Sequence, residues 1–326
     1  MIVSKPNLPE FMAAPAGSLP AIDSGFLCAL DHLGVIEASG DDAAGFLHNQ
    51  LTNDILGLEQ GHAELAGYCS PKGRLLATLL VWRHADQIFI ALPCDVLPSF
   101  LKRLQMFVLR SKVTLKDVSD QWLMIGAATK PSDSAPAMWR CATDEHGTRI
   151  RVPDAGALQR WLWIGQPENA RQPWTAWSAQ LPTVPASIWR WSEIIAGLPQ
   201  VVETTHEQFV PQMINFELVG GVNFKKGCYP GQEIVARSQY LGKTKRRTLL
   251  AFTSDTTASA GVEVFSVNDP DQPCGMVVNA EVGPDGRVAC LVELKMEARA
   301  GIVHLRSVNG ATLEFGELPY ALNAET

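Results

Sequence analysis

The residues best equipped for chemistry are Phe224-Lys225-Lys226-Gly227-Cys228-Tyr229-Pro230-Gly231-Gln232-Glu233-Ile234-Val235-Ala236-Arg237. This order sets a thiol between two lysines and a predicted helix, with Pro230 suited to the first helical position and 231–237 continuing it. Positive side chains and the free N–H groups of a helix N-terminus both favour a thiolate over a thiol. A reactive Cys228 is therefore one reading, and a small buried hydrophobe beside a turn is the other. Glu233 and Arg237 stand four apart, where opposite charges on a helix can pair.

Other elements must hold this stretch in place. Residues 33–37 read as a strand, and Asp42 or its neighbours can cap a following helix. Strand-like runs at 63–69, 74–83 and 87–92, parted by Ser70-Pro71-Lys72-Gly73 and His84-Ala85-Asp86, predict an antiparallel meander. Asp95 can cap a helix whose apolar residues Leu97, Phe100, Leu101 and Leu104 recur at helical spacing, and 112–118 returns as a strand. A second unit follows, with strands at 122–127, 148–152 and 161–165 and a helix over 186–196. From 248 onward, six short strand-like runs divided by turn residues such as Asn309-Gly310 predict a small antiparallel barrel. The expected organisation is α+β: 1–120 and 121–243 as two mixed sheet-and-helix units, then 244–326 as the barrel.

Composition narrows the function classes. The chain has 326 residues, 46% hydrophobic and 19% charged, enough for two or three packed units. A net charge of -7 argues against nucleic-acid binding by bulk electrostatics. Pro6, Pro9, Pro15 and Pro20 make the first twenty residues an extended arm, not a secretion signal, so a cytoplasmic location is expected. The longest apolar run, 75–82, is far short of the roughly 20 residues a spanning helix needs, so no membrane association is expected. Seven scattered cysteines without a C-x-x-C pair, and seven histidines without helical ligand spacing, suggest neither a disulfide framework nor a metal site. Lys243-Thr244-Lys245-Arg246-Arg247 is a local basic run, readable as a solvated strand edge or as a site for an anionic tail such as folate glutamates or RNA phosphate.

The order Lys226-Gly227-Cys228-Tyr229-x-Gly231-Gln232-Glu233-x-x-x-Arg237 resembles the signature of the YgfZ family, folate-binding relatives of the glycine-cleavage T-protein that support iron–sulfur proteins. The likeness extends through Trp189, Ala196-Gly197-Leu198-Pro199, Phe209-Val210-Pro211-Gln212 and Gly220-Gly221-Val222. It implies two ferredoxin-like units around a folate pocket plus a terminal barrel. It further implies tetrahydrofolate or a derivative as cofactor, and iron–sulfur clients or assembly factors as partners, with a possible tRNA link. Trp189 would stack on the pterin, and Lys226, Tyr229, Gln232, Glu233 and Arg237 would serve the same site, with Cys228 as the working thiol.

Departures from the transferase relatives bear on activity. T-proteins usually carry an acidic pair after a glycine-rich turn, whereas Lys72-Gly73-Arg74-Leu75-Leu76-Ala77-Thr78 holds no carboxylate. Ile195 stands where those enzymes place a folate-contacting glutamate, and Glu193 is offset from it along the helix. Leu33 occupies the position of an aromatic that some relatives carry. The expectation is an accessory factor for iron–sulfur cluster assembly or repair, not a classical aminomethyltransferase. The rivals are a folate-dependent aminomethyltransferase or demethylase, a tRNA-binding adaptor using 243–247, and more distantly a Cys–His hydrolase drawing on His206.

Overall fold

A computed structural model describes residues 8–240 and 245–322. In chain order the elements are β1 (Gly25–Ala29), β2 (Leu33–Ser39), α1 (Ala43–Gln50), β3 (Ala63–Cys69), β4 (Leu75–His84), β5 (Gln87–Pro93), α2 (Leu97–Gln105) and β6 (Thr114–Asp117). Then come β7 (Leu123–Thr129), β8 (Cys141–Thr143), β9 (Thr148–Ala155), β10 (Leu158–Gly165), α3 (Arg171–Ser178), α4 (Ala186–Ile195) and α5 (Gln232–Tyr240). The last part holds β11 (Arg246–Thr253), β12 (Glu263–Ser266), β13 (Asp269–Val282), β14 (Val288–Lys295), β15 (Val303–Leu305) and β16 (Glu314–Phe315).

The sheets run β3-β4-β5-β2-β6, β1-β7-β10-β9-β8 and β15-β12-β13-β14-β11-β16. The third is a curled half-barrel of antiparallel strands. β1 lies apart from its sequence neighbours: it pairs with β7 in the second sheet, with Leu27 opposite Ala127.

Burial on both faces explains why β4 reads as an unbroken apolar run instead of alternating. Ala77, Leu79 and Val81 join Phe46 and Leu47 of α1 and Phe100 and Leu104 of α2 in one core. Trp82 on the same strand joins Met124 and Leu162 of the second sheet, together with Ile188 and Trp189 of α4, in another. The first two sheets therefore face each other, with α4 wedged beside their seam. On the far side of the second sheet, its own Leu27, Ile125 and Trp163 pack against Trp174 of α3.

Two predicted caps have other work. Asp42 makes no side-chain bond to α1 and accepts from the Lys112 N–H at 2.7 Å. Asp95 likewise lies outside the α2 cap and accepts from the Glu203 N–H at 3.1 Å, tying the meander to the segment after α4.

A candidate ligand cavity and an exposed thiol loop

A narrow cavity of about 60 Å³ opens where the two facing sheets, α4 and the 198–200 segment meet. Leu33, Leu65 and Thr78 of the first sheet, Arg160 and Leu162 of the second, and Trp189 and Glu193 of α4 are among its walls. This pattern, mostly apolar with few polar groups, is that of a small-molecule site. Trp189 and Glu193 share the cavity because residues four apart on a helix lie on one face.

The wall is tightly fitted around Trp189, which is 1% exposed. Gly126 on β7 leaves room for it: an ideal Cβ there would stand 2.5 Å from the indole Cε3. The Arg160 guanidinium lies over the ring at 4.8 Å from its centroid. Arg160 is fully buried, its Nε donating to the Pro153 carbonyl at 2.8 Å and its Nη1 to Ser192 Oγ at 2.9 Å, while Nη2 has no acceptor. Burial pushes the Glu193 carboxyl up to about 7, against the pull of Arg160 and the Trp189 indole N–H. Gln200 donates to Glu193 Oε1 at 3.2 Å. Gln200 is itself pinned to the half-barrel, its N–H donating to Asn279 Oδ1 at 2.9 Å and its carbonyl accepting from Asn279 Nδ2 at 2.9 Å.

The Cys228 loop sits elsewhere, between α1, the β3–β4 turn and α5. Cys228 is exposed, whereas Cys28, Cys69, Cys94, Cys274 and Cys290 are buried and Cys141 is intermediate. Helix α5 begins at Gln232, later than predicted, because Gly231 adopts a left-handed φ of 79° and Pro230 belongs to the preceding turn. A side chain at 231 would meet Gly73 Cα at 2.7 Å, so the signature glycine lets the loop close against the β3–β4 turn.

Lys226 points inward. Its Nζ donates to the carbonyls of His48 and of Leu51, the latter at 2.7 Å, capping the end of α1, and lies 4.9 Å from the centroid of the Tyr229 ring. Burial lowers its pKa to about 8, with Asp54, Cys228 and Glu64 opposing the shift. Glu64 nearby is raised to about 8, burial leading and the Asp54 charge adding. The histidine that reaches this loop is His48: its Nε2 would lie 3.4 Å from a Cβ at Gly227, and its Nδ1 is 3.0 Å from Asp54 Oδ1. Burial and Lys226 together hold His48 below its ordinary pKa. No sequence spacing links His48 to Cys228; α1 and the loop meet only through the fold.

Of the residues singled out in the sequence, the structure therefore puts Trp189 in the cavity wall and groups Lys226, Cys228 and Tyr229 in the loop. Gln232 braces that loop, donating weakly to the Gly227 carbonyl at 3.4 Å. Glu233 and Arg237 are exposed, and no ion pair joins them among the described residues. Leu33 does line the cavity, while Ile195 packs against the apolar core beneath the half-barrel. Sequence reasoning discounted Glu193 and passed over Arg160; the four-residue spacing from Trp189 was the available signal for Glu193.

In the basic run, Lys243 and Thr244 fall outside the described residues. Arg246 pairs with buried Glu293, and Arg247 pairs with buried Glu217 and donates to the Gln212 carbonyl at 2.9 Å. Two of the four charges are thus structural clamps between β11 and its neighbours, not a solvated edge. Among the described residues, no cluster of potential ligands could hold a metal, and no helix is long and apolar enough to cross a membrane.

No family model matches the chain. It is 29% identical over 291 residues to the tRNA-modifying protein YgfZ of Vibrio vulnificus (strain CMCP6), covering 85% of this chain and 86% of that protein. The protein of the same name from Sodalis glossinidius is 28% identical over 330 residues, covering 98% and 99%. The chain is a relative of the YgfZ proteins. YgfZ from Cronobacter sakazakii gives the same picture, 28% identical over 311 residues with 91% and 93% covered. Among solved structures, the glycine cleavage system aminomethyltransferase T from Bartonella henselae aligns with a TM-score of 0.72 at 14% identity, covering 92% of this chain and 87% of that one. The YgfZ relative thus has the T-protein fold, as its signature implied.

Proposed function

We propose that this YgfZ relative is a cytoplasmic tetrahydrofolate-binding accessory factor for iron–sulfur cluster assembly or repair, with Cys228 as its working thiol. The observation that carries the reading is the pairing of an aromatic-walled cavity with one exposed cysteine on a loop outside the cavity lining. The cavity's lining suits a reduced folate by chemistry, and the cavity would have to widen to admit the ring. Trp189 and the aliphatic walls offer a surface for a flat ring, and Glu193, Gln200 and Arg160 offer polar groups for its edge. A bound reduced folate would supply a one-carbon-carrying ring nitrogen. The protein's own part is to hold the ring, keep water from its edge and present the thiol outside.

Cys228 would ligate iron or sulfur transiently. Clusters generally take about four protein ligands, so a client or assembly protein must supply the rest. The relatives' name favours clients that modify tRNA. Binding of tRNA itself through 243–247 is less favoured, because Arg246 and Arg247 are already committed to Glu293 and Glu217. Transfer chemistry is disfavoured by the β3–β4 turn, where Lys72 and Arg74 stand without a carboxylate. The residues 8–120 and 121–240 would form the folate-holding part and the half-barrel its brace.

Titration calorimetry with tetrahydrofolate tests this reading. Saturable binding that Trp189→Leu weakens, without turnover of a methylamine donor, is the expected result. Absence of binding, or turnover at enzymatic rates, would reject it.

A further inference from the structure

Arg160 carries an unexplained feature. It is fully buried and lines the cavity, two of its nitrogens are bonded to Pro153 and Ser192, and Nη2 has no acceptor. An unpaired buried donor on a guanidinium is costly, and such groups commonly await a ligand or ordered water. Glu193 lines the same cavity and its charge is felt at Arg160, yet among the described residues no ion pair joins the two. Two opposite charges flank one space without meeting across it.

We infer that Arg160 is a specificity-determining residue whose free N–H groups donate to the exocyclic 4-oxo oxygen of an oxo-pterin while the Glu193 carboxylate accepts from the adjacent N–H donors. This deepens the folate reading and rests on it. An amino-pyrimidinone edge presents two donors followed by an acceptor. A carboxylate and a guanidinium set apart in one wall complement that sequence. A 2,4-diamino ring presents a donor in place of the oxygen and would set N–H against N–H, the arrangement by which a hydrogen-bonding site rejects a near-isostere.

The test uses a matched pair, tetrahydrofolate and its 4-amino counterpart, titrated anaerobically at pH 8 into the full-length protein. Wild type prefers the oxo compound by at least about tenfold. Equal affinity, or preference for the amino compound, overturns the inference and leaves the folate reading standing; binding of neither compound rejects both. Arg160→Lys keeps a positive charge but lacks the planar fork. Its thermal melt reports folding, and its oxo preference collapses to within about threefold if Arg160 is the discriminator. Retention of the full preference in this variant contradicts the assignment.

Discussion

The cavity wall and the Cys228 loop are built by opposite means. The wall is made from regular elements: β7 lies close under Trp189 because residue 126 is glycine, β10 supplies Arg160, and α4 turns Trp189 and Glu193 to the same side. Its arginine is buried, with one nitrogen left without an acceptor. The loop is irregular chain fastened from beneath: Lys226 is tied into the end of α1, Gly231 is pressed on the β3–β4 turn, and Val235 is the buried anchor of α5. Its Cys228 side chain is exposed. A wall built this way suits recognition, where desolvated groups discriminate strongly. A loop built this way suits encounter with another protein, where the sulfur must be reached. The two regions should therefore respond separately to mutation.

The largest separation is expected from Trp189→Ala. Removing this ring from the seam between the sheets should cost about 3–5 kcal/mol in urea denaturation and abolish folate binding. In the loop, Gly231→Ala forces a left-handed φ and a close approach to Gly73, and should cost about 1–3 kcal/mol while leaving folate affinity intact. Loss of folate affinity in this variant would show that loop and cavity are one unit. Lys226→Met strips the donor from the His48 and Leu51 carbonyls and should cost about 1–2 kcal/mol, again without affecting the cavity.

Acid–base behaviour sharpens the contrast. Glu193 is raised from an ordinary carboxyl value of 4.5 to about 7, so the folded state holds a proton that the unfolded state has already lost. Its contribution makes stability fall as pH rises between those values. Glu193→Gln should remove that decline and gain on the order of 1 kcal/mol at pH 8, measured by denaturation across pH. The smallest effect is expected at Glu233→Ala, within about 0.5 kcal/mol and without change in folate affinity, because its side chain is exposed and outside the cavity.

Local pattern made the meander legible: 63–69, 74–83 and 87–92 reappear as β3, β4 and β5 within a residue or two. The helix expected over 186–196 also appears, as α4 at Ala186–Ile195. β1 was not legible, because its five buried residues carry no alternation and its partner β7 lies nearly a hundred residues away in the chain. Trp189 and the Cys228 signature could be found from the family likeness, whereas the composition of the cavity lining, which includes Trp189 and none of residues 226–237, follows only from the sheet packing. Arg160 was illegible in principle. An arginine on a strand ordinarily reads as solvent-facing, and its burial depends on Pro153, Ser192 and Trp189 closing around it. His48 likewise reaches the thiol loop through tertiary packing alone.

The most direct measurement of the central claim replaces Cys228 by alanine in the producing cell and follows an iron–sulfur enzyme's activity, with tetrahydrofolate titrated into the purified variant. The account predicts lost client activity beside unchanged folate affinity. Unchanged client activity would contradict the role of the thiol, and lost folate affinity would contradict the separation of loop from cavity.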